Sequence, residues 1–232
     1  MTRRGRREQK LLAFPVYPGV TPLDLVGPLT VLRNLSGTPY RTVVVGERTD
    51  QLLTDTALQL VPTATFAELP APFAVIVPGG GQGAVAAMAD PTVVGYVRAA
   101  AARAQLVGAT GNGALILAAA GLLTGRRAAT HWAYAEDLES QGVIWASEPW
   151  LVDGRFLTTT GGAAGIDAML TVLARLKSRS AAGLAQLFME YDPEPPFGPL
   201  GPERGEPELA ALLRAPRQQR GSASMKPTTE EQ

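Results

Sequence analysis

The sequence predicts an α/β protein in which a doubly wound parallel sheet is sandwiched between helices. Short apolar runs bounded by turn residues are typical of buried parallel strands. Along the chain they alternate with Ala- and Leu-rich segments of helical length, and glycine-rich turns separate the two kinds of segment. Strands that alternate with helices favour a parallel sheet that carries helices on both faces.

The positions of the strands and helices follow from the apolar runs and the turn residues. The predicted strands are residues 10–17, 41–46, 73–78, 105–110, 143–145 and 156–159, with a small hairpin or an edge strand at 52–61. The predicted helices are residues 22–35, 91–103, 114–123, 132–140, 164–176 and 181–188. We expect Thr21 to cap the first helix, with Pro22 at its first position, and Gly27-Pro28 to interrupt it.

One domain is expected between two disordered ends. The 232 residues, of which 46% are hydrophobic, suit a single sizeable core. A polar, basic tail occupies residues 1–9, and a low-aromatic polar segment occupies most of residues 201–232. Segments of this composition do not bury enough apolar surface to fold. The domain is therefore predicted to span residues 10–200.

The composition excludes several classes of protein. Lys plus Arg equals Asp plus Glu at 21 each, so the chain has no net charge that would favour nucleic acid. No apolar run approaches the roughly 18 residues of a membrane span, and we expect a cytoplasmic protein without a membrane partner. Because there is no cysteine and only one histidine, His131, thiolate and His-rich metal sites and a thiol nucleophile are excluded. We expect neither a metal nor a cofactor.

Residues 109–123 (ATGNGALILAAAGLL) carry the strongest local signal for a functional site. A strand, a small residue flanked by glycines and an apolar helix form the pattern of a nucleophile elbow. Such a turn aims backbone N–H groups and a helix N-terminus at whatever lies above it. Glycine-rich turns between strands and helices are also common in α/β folds without any catalytic role.

Six segments resemble, in the same order, motifs of the isonitrile-hydratase branch of the DJ-1/PfpI family. They are YPGVTPLDLVGP (17–28), VPGGGQG (77–83), TGNGALILAAAGLLTG (110–125), RAATHW (127–132), TTGGAAGID (159–167) and MEYDPEPPF (189–197). The resemblance implies a flavodoxin-like sandwich and a homodimer. It also implies a small-molecule substrate and a chemistry in which an elbow cysteine attacks the isonitrile carbon while a nearby acid moves protons.

The resemblance places the family's acid at Asp24, its cysteine at Gly111 and the following threonine at Asn112. Glycine offers no nucleophile, so ordinary covalent catalysis is not expected. A partly desolvated Asp24 with a raised pKa suits general acid/base catalysis. The other interpretation of Asp24 is a charge that only stabilises a helix N-terminus.

The remaining candidate residues lie in the same motifs. Asn112 is expected to donate a hydrogen bond to a ligand, and the turn Gly79-Gly80-Gly81 to form an oxyanion-type site with the N–H of Asn112, unless it is a plain tight turn. His131 either lines the pocket or is a structural histidine. The other predicted substrate-binding residues are Thr110, Gly111, Gly113, Trp132, Gly161 and Gly162.

Three functions remain open from the sequence. The first is an enzyme without a cysteine nucleophile, in which Asp24 drives a lyase, isomerase or cyclase reaction on a small metabolite, such as a biosynthetic intermediate. The second is a non-catalytic module that binds a ligand or a partner. The third is an isonitrile hydratase in which water attacks directly and Asp24 is the base.

Overall fold

The computed structural model describes residues 9–196. The expectations of disorder at residues 1–8 and 201–232 lie outside this part of the chain, and so does the last residue of the 189–197 motif. By its internal contacts the chain divides after Asp192, and every helix and strand given below lies in the first of the two units.

Eleven strands lie in the described part of the chain. They are β1 (Lys10–Pro15), β2 (Tyr40–Gly46), β3 (Leu52–Leu53), β4 (Gln59–Leu60), β5 (Ala64–Thr65), β6 (Ala74–Val77), β7 (Leu106–Ala109), β8 (Arg127–Ala129), β9 (Ile144–Ala146), β10 (Trp150–Asp153) and β11 (Phe156–Thr159). Seven of them form one sheet in the order β10-β11-β7-β6-β1-β2-β5, while β3 pairs with β4 and β8 pairs with β9.

The same part of the chain contains seven α-helices. They are α1 (Pro22–Leu32), α2 (Gly81–Ala87), α3 (Pro91–Arg103), α4 (Ala114–Ala119), α5 (Ala135–Glu139), α6 (Gly162–Leu176) and α7 (Arg179–Phe188). Helix α1 packs on α6 and α6 packs on α7, while α2 and α3 pack on α4. No helix in residues 9–196 is long and apolar enough to cross a membrane.

The sheet is wound in both directions from β1, as the sequence predicts. The chain runs from β1 to β2 and β5, returns to β6 on the other side of β1, and continues to β7 and β11. Because crossovers between parallel strands are right-handed, opposite directions of winding place the helices on opposite faces. Strand β6 is buried along its whole length, which explains its uninterrupted apolar sequence. The fold is a flavodoxin-like α/β sandwich.

The structure corrects several local predictions. The sheet is mixed rather than wholly parallel, because β10 pairs antiparallel with β11 at one edge. Strands β5, β8 and β10 and helix α2 were not predicted; β5 has two residues and β8 has three, too few for a pattern. For segment 52–61, the sequence left a small hairpin or an edge strand open, and the structure forms the hairpin from β3 and β4.

The first helix begins as predicted but is capped differently. Pro22 is at its start, and the α-helix ends at Leu32 before a 3-10 turn at Arg33–Leu35. Thr21 occupies the cap position, but its side chain makes no capping bond. Its hydroxyl instead donates to the carboxylate of Asp55, so the prediction of a Thr21 side-chain cap is wrong.

Candidate active site

Three segments meet where the central strands end. Asp24 lies in the first turn of α1, after β1; Gly79 follows β6; and Gly111 follows β7. The strands β1, β6 and β7 are neighbours, and the winding of the sheet reverses between β1 and β6. In open α/β sheets, ligands bind beyond the carboxyl ends of the strands at such a reversal. Asp24, Gly79 and Gly111 therefore lie where this fold binds ligands.

Gly111 has the backbone conformation of an elbow residue and no room for a side chain. Its φ is +53°, in the left-handed region that side chains rarely adopt. A β-carbon added at this residue would lie 2.5 Å from Oδ1 of Asp24. The Asp24 carboxyl thus occupies the space that a side chain at position 111 would need.

Asp24 is a buried carboxyl with an unsatisfied oxygen. The residue is 7% exposed, and its Oδ1 makes no hydrogen bond of normal geometry within residues 9–196. Burial raises the pKa of Asp24 to about 6; the Thr110 side chain and the Gly79 backbone beside the carboxyl lower it in part, and the charge of Asp55 raises it. A carboxyl with this pKa can exchange a proton near neutral pH.

Asn112 holds the glycine turn rather than pointing away from it. Its Oδ1 accepts a hydrogen bond from the N–H of Gly80 at 3.0 Å, and its Nδ2 donates to the carbonyl of Gly81 at 2.7 Å. The bond from Gly80 is buried, whereas the bond to Gly81 is only partly buried. The N–H of Gly80 is consequently engaged within the protein, and the oxyanion-type site predicted here loses one of its expected donors.

Two threonines fasten the elbow to its surroundings. The hydroxyl of Thr110 donates to the backbone carbonyl of Asp24 at 2.9 Å. The hydroxyl of Thr130, at the end of β8, donates to the carbonyl of Gly111 at 3.2 Å. Both threonines are fully buried. Thr110, predicted as a binding residue, therefore fixes the backbone that carries the carboxyl.

Close backbone contacts explain two of the predicted glycines. A β-carbon on Gly113 would collide with the carbonyl of Val77 and lie 2.7 Å from that of Pro78. A β-carbon on Gly80 would lie 3.1 Å from the hydroxyl of Tyr17. That hydroxyl donates to the Pro78 carbonyl at 2.6 Å. The turn after β6 therefore packs closely against the segment after β1 at Gly80 and against the elbow at Gly113, and neither glycine has space for a β-carbon.

The two glycines at the start of α6 differ in their surroundings. A β-carbon on Gly162 would lie 2.7 Å from Cγ of Leu23 and 3.1 Å from the backbone nitrogen of Asp24. Apart from its chain neighbours, Gly161 has no atom of residues 9–196 within 4 Å of its β-position. Gly162 therefore acts on the site indirectly, by letting α6 approach the turn that carries Asp24, whereas Gly161 has no such contact.

His131 and Trp132 begin the segment after β8. The Nδ1 of His131 accepts a hydrogen bond from the N–H of Ala133 at 3.3 Å, which caps the 3-10 turn at Trp132–Tyr134. The His131 ring lies 5.4 Å from the Trp132 ring and 6.1 Å from that of Tyr134, between centroids. These contacts fix the His131 ring at the start of the turn.

Residues not predicted for the site also lie there. Thr130 contacts Gly111, as described above. The carboxylate of Asp55, on the turn between β3 and β4, accepts a hydrogen bond from the Thr21 hydroxyl. Burial is the main cause of the raised pKa of Asp24 and of Tyr17, and the charge of Asp55 adds to it. Nothing in the sequence around Asp55 distinguishes it from an ordinary turn aspartate. Among residues 9–196, no three His, Asp or Glu side chains are grouped as metal ligands.

The fold, the elbow and the buried carboxyl define an α/β protein that carries a buried acid and a glycine elbow at the switch point of its sheet. The chain belongs to the DJ-1/PfpI family, whose model matches residues 10–175. It is 38% identical over 199 residues to the isonitrile hydratase of Pseudomonas putida, covering 86% of this chain and 84% of that enzyme.

Two further comparisons extend this result. The crystal structure of a THiJ/PfpI family protein from Pseudomonas syringae superposes with a TM-score of 0.84 at 32% identity, over 92% of this chain and 88% of that one. The HTH-type transcriptional regulator CdhR of Pseudomonas aeruginosa is 36% identical over 89 residues, which cover 37% of this chain and 26% of the regulator.

Proposed function

We propose that the protein is an enzyme that transfers protons through Asp24 in a lyase, isomerase or cyclase reaction on a small metabolite. One observation carries this proposal: an unpaired, buried carboxyl oxygen lies where the side chain of residue 111 would be. The chain contains no cysteine at any position, so a thiolate intermediate is excluded. The carboxyl of Asp24 is then the reactive group nearest the elbow.

The pKa of Asp24 sets the direction of proton transfer. With a pKa of about 6, roughly nine in ten molecules carry an ionised Asp24 at pH 7. The resting enzyme therefore starts as a base, which takes a proton from the substrate and returns it elsewhere as an acid. A positioned acid/base group contributes roughly 10²–10⁴-fold to a rate. The N–H of Asn112, in the 3-10 turn that precedes α4, is proposed to stabilise negative charge that develops on the substrate.

Hydration of an isonitrile without a covalent intermediate is the second candidate, because the Pseudomonas putida relative is an isonitrile hydratase. In this reaction the oxygen of a water forms a bond to the terminal carbon. The ionised Asp24 removes a proton from that water, and the carbon and the nitrogen each gain one hydrogen. The product is an N-substituted formamide. Asp24 serves the same chemical role in both candidates.

Turnover of alkyl and aryl isonitriles by the wild type, Asp24→Asn and Gly111→Cys tests both candidates. Turnover by the wild type that Asp24→Asn reduces by at least a hundredfold supports the hydratase. Turnover by Gly111→Cys alone indicates an inherited pocket with another natural reaction, and Asp24→Asn is then assayed on that substrate. Wild-type rates on the true substrate that survive Asp24→Asn contradict the proposal. A ligand that raises the melting temperature but is never converted indicates a binding module instead.

A further inference from the structure

We infer that Asp55 is a substrate-binding residue at the mouth of this site, where it accepts a hydrogen bond from an amine, amide or hydroxyl group and disfavours anionic substrates. The inference rests on the proposed function, because it assigns the substrate class of the same site. It concerns a residue outside all six motifs that carry the family resemblance.

The backbone holds the carboxylate of Asp55 beside the loop that leads into α1. The N–H of Asp55 donates to the carbonyl of Val20 at 3.3 Å, and Val20 also forms a β-bridge with Thr54. The hydroxyl of Thr21 donates to Oδ2 of Asp55. These contacts fix the turn of the β3–β4 hairpin against the segment between β1 and α1. Asp55 itself is exposed, so its carboxylate remains accessible from solvent.

An opening lies next to this carboxylate, above Gly81. The φ of Gly81 is +47°. Within residues 9–196, two atoms outside its chain neighbours and the backbone of its own helix lie within 4 Å of its β-position. They are the hydroxyl oxygen of Tyr134 at 3.9 Å and Oδ2 of Asp55 at 4.0 Å. Gly81 therefore leaves a notch between a carboxylate and a phenol, and a small polar group entering the notch would contact both.

The notch and the buried carboxyl lie at the two ends of the same short turn. Oδ1 of Asp24 is 2.9 Å from the β-position of Gly79, and Oδ2 of Asp55 is 4.0 Å from that of Gly81. Two residues of extended chain span at most about 7 Å. The two carboxyl oxygens are therefore at most about 14 Å apart, and a molecule of that length that reaches Asp24 can reach Asp55 as well.

The two carboxyls differ in a way that separates their roles. Asp24 is 7% exposed with an unpartnered Oδ1 beside Gly111, so it faces the reacting atoms. Asp55 is exposed and faces the part of the substrate that remains nearer to solvent. A carboxylate in that place favours hydrogen-bond donors and cations and repels carboxylate or phosphate groups, which provides specificity by repulsion as well as attraction.

A single thiol placed in the notch tests the inference without a known substrate. The chain has no cysteine, so Gly81→Cys introduces a unique reactive group at ordinary contact distance from Asp55. We would measure its modification rates with cationic, neutral and anionic methanethiosulfonate reagents of similar size. The ratio of the cationic to the anionic rate, relative to a free small thiol, is expected to be about five- to tenfold, from two unit charges several ångströms apart in water.

Asp55→Asn in the Gly81→Cys background should reduce this ratio to near that of the free thiol. Asp50→Asn is the matched control, because Asp50 is an exposed aspartate paired with Arg48, and the ratio should not change. A ratio that is unaffected by Asp55→Asn overturns the inference. Turnover is not measured, so this result leaves the role of Asp24 untouched, and an Asp24→Asn variant with full activity leaves the role of Asp55 untouched.

A second measurement uses the unmodified cysteine-free chain, in case Gly81→Cys does not fold. Binding of N-cyclohexylformamide and of its 4-amino and 4-carboxy derivatives is followed by ligand-observed NMR with the wild type and Asp55→Asn. The amino derivative should bind the wild type several-fold more tightly than the carboxy derivative, and Asp55→Asn should remove the difference. Equal affinities for the wild type, or no binding of any of the three, count against the inference.

Discussion

Oδ1 of Asp24 lies 2.5 Å from the point where a β-carbon on Gly111 would be. The two residues are far apart in sequence, and they meet because β1 and β7 flank β6 as parallel strands and end at the same edge of the sheet. No side chain at residue 111 can coexist with the carboxyl in its present place. The Asp24 carboxyl can therefore hold its position only because residue 111 has no side chain.

Gly111→Ala is expected to destabilise the protein in two ways. A left-handed backbone costs a residue with a side chain about 1–2 kcal/mol. Displacement of the buried Asp24 carboxyl adds a further 1–3 kcal/mol, a typical cost of overpacking. The free energy of unfolding, measured by urea denaturation at pH 7, should therefore fall by about 2–5 kcal/mol.

Gly154→Ala is the matched control for this change. Gly154 has a φ of +63°, and no atom lies within 4 Å of its β-position. Only the backbone penalty of about 1–2 kcal/mol is then expected. If Gly111→Ala costs no more than Gly154→Ala, the Asp24 carboxyl moves aside freely and is not held where the structure places it.

The stability of the protein should decrease as the pH rises from about 4 to 6. The folded-state pKa of Asp24 is about 6, above the ordinary value of 3.8. Between these values the unfolded chain releases the proton while the folded protein retains it, so ionisation favours unfolding. The stabilising contribution is full below the unfolded pKa and is lost as the pH passes the folded pKa. The difference of about two pKa units corresponds to on the order of 2–3 kcal/mol.

Asp24→Asn isolates this contribution, because asparagine does not titrate. Urea denaturation of both proteins between pH 4 and 8 should show the wild type losing stability relative to the variant as the pH rises to about 6, with a constant difference above pH 7. Carboxyl ¹³C chemical shifts would report the Asp24 pKa directly. Parallel stability curves across the whole range would contradict a raised pKa.

Asn112→Ala should loosen the glycine turn after β6. The change removes the partner of the buried N–H of Gly80, at a cost of about 1–3 kcal/mol. It also removes the partner of the Gly81 carbonyl, which is only partly buried and costs less. Hydrogen exchange of the Gly80 amide should become faster by at least tenfold, and activity that depends on Asp24 should fall with it. Unchanged protection of the Gly80 amide would show that Asn112 does not hold the turn.

Local signals account for the parts of the structure that the sequence predicts well. Helix α3 begins at Pro91 and ends at Arg103 as predicted, because proline suits the first turn of a helix. The rule that ligand-binding loops follow parallel strands brings Asp24, Gly79 and Gly111 together before any coordinates are known. These features depend on residues close in sequence or on the direction of the strands.

Contacts between distant segments account for what the sequence does not predict. Asp55 reaches the site only because the β3–β4 hairpin folds back on the chain after β1. Asn112 carries an amide that could bind a ligand. The position of the turn after β6 shows that this amide instead bonds to Gly80 and Gly81. Neither the residues around Asp55 nor those around Asn112 carry a sequence pattern that predicts these contacts.

The neighbouring glycines at the start of α6 should respond differently to the same substitution. In Gly162→Ala, the new methyl group would lie 2.7 Å from Cγ of Leu23 and 3.0 Å from its backbone carbonyl carbon. It would force α6 away from the turn that carries Asp24, at a cost of about 1–3 kcal/mol. In Gly161→Ala, the methyl group meets no atom within 4 Å, and the change should stay within about 0.5 kcal/mol. Urea denaturation measures both, and the Asp24 carboxyl ¹³C shift should move only in Gly162→Ala. Equal effects of the two substitutions would mean that contact between α6 and α1 does not position the carboxyl.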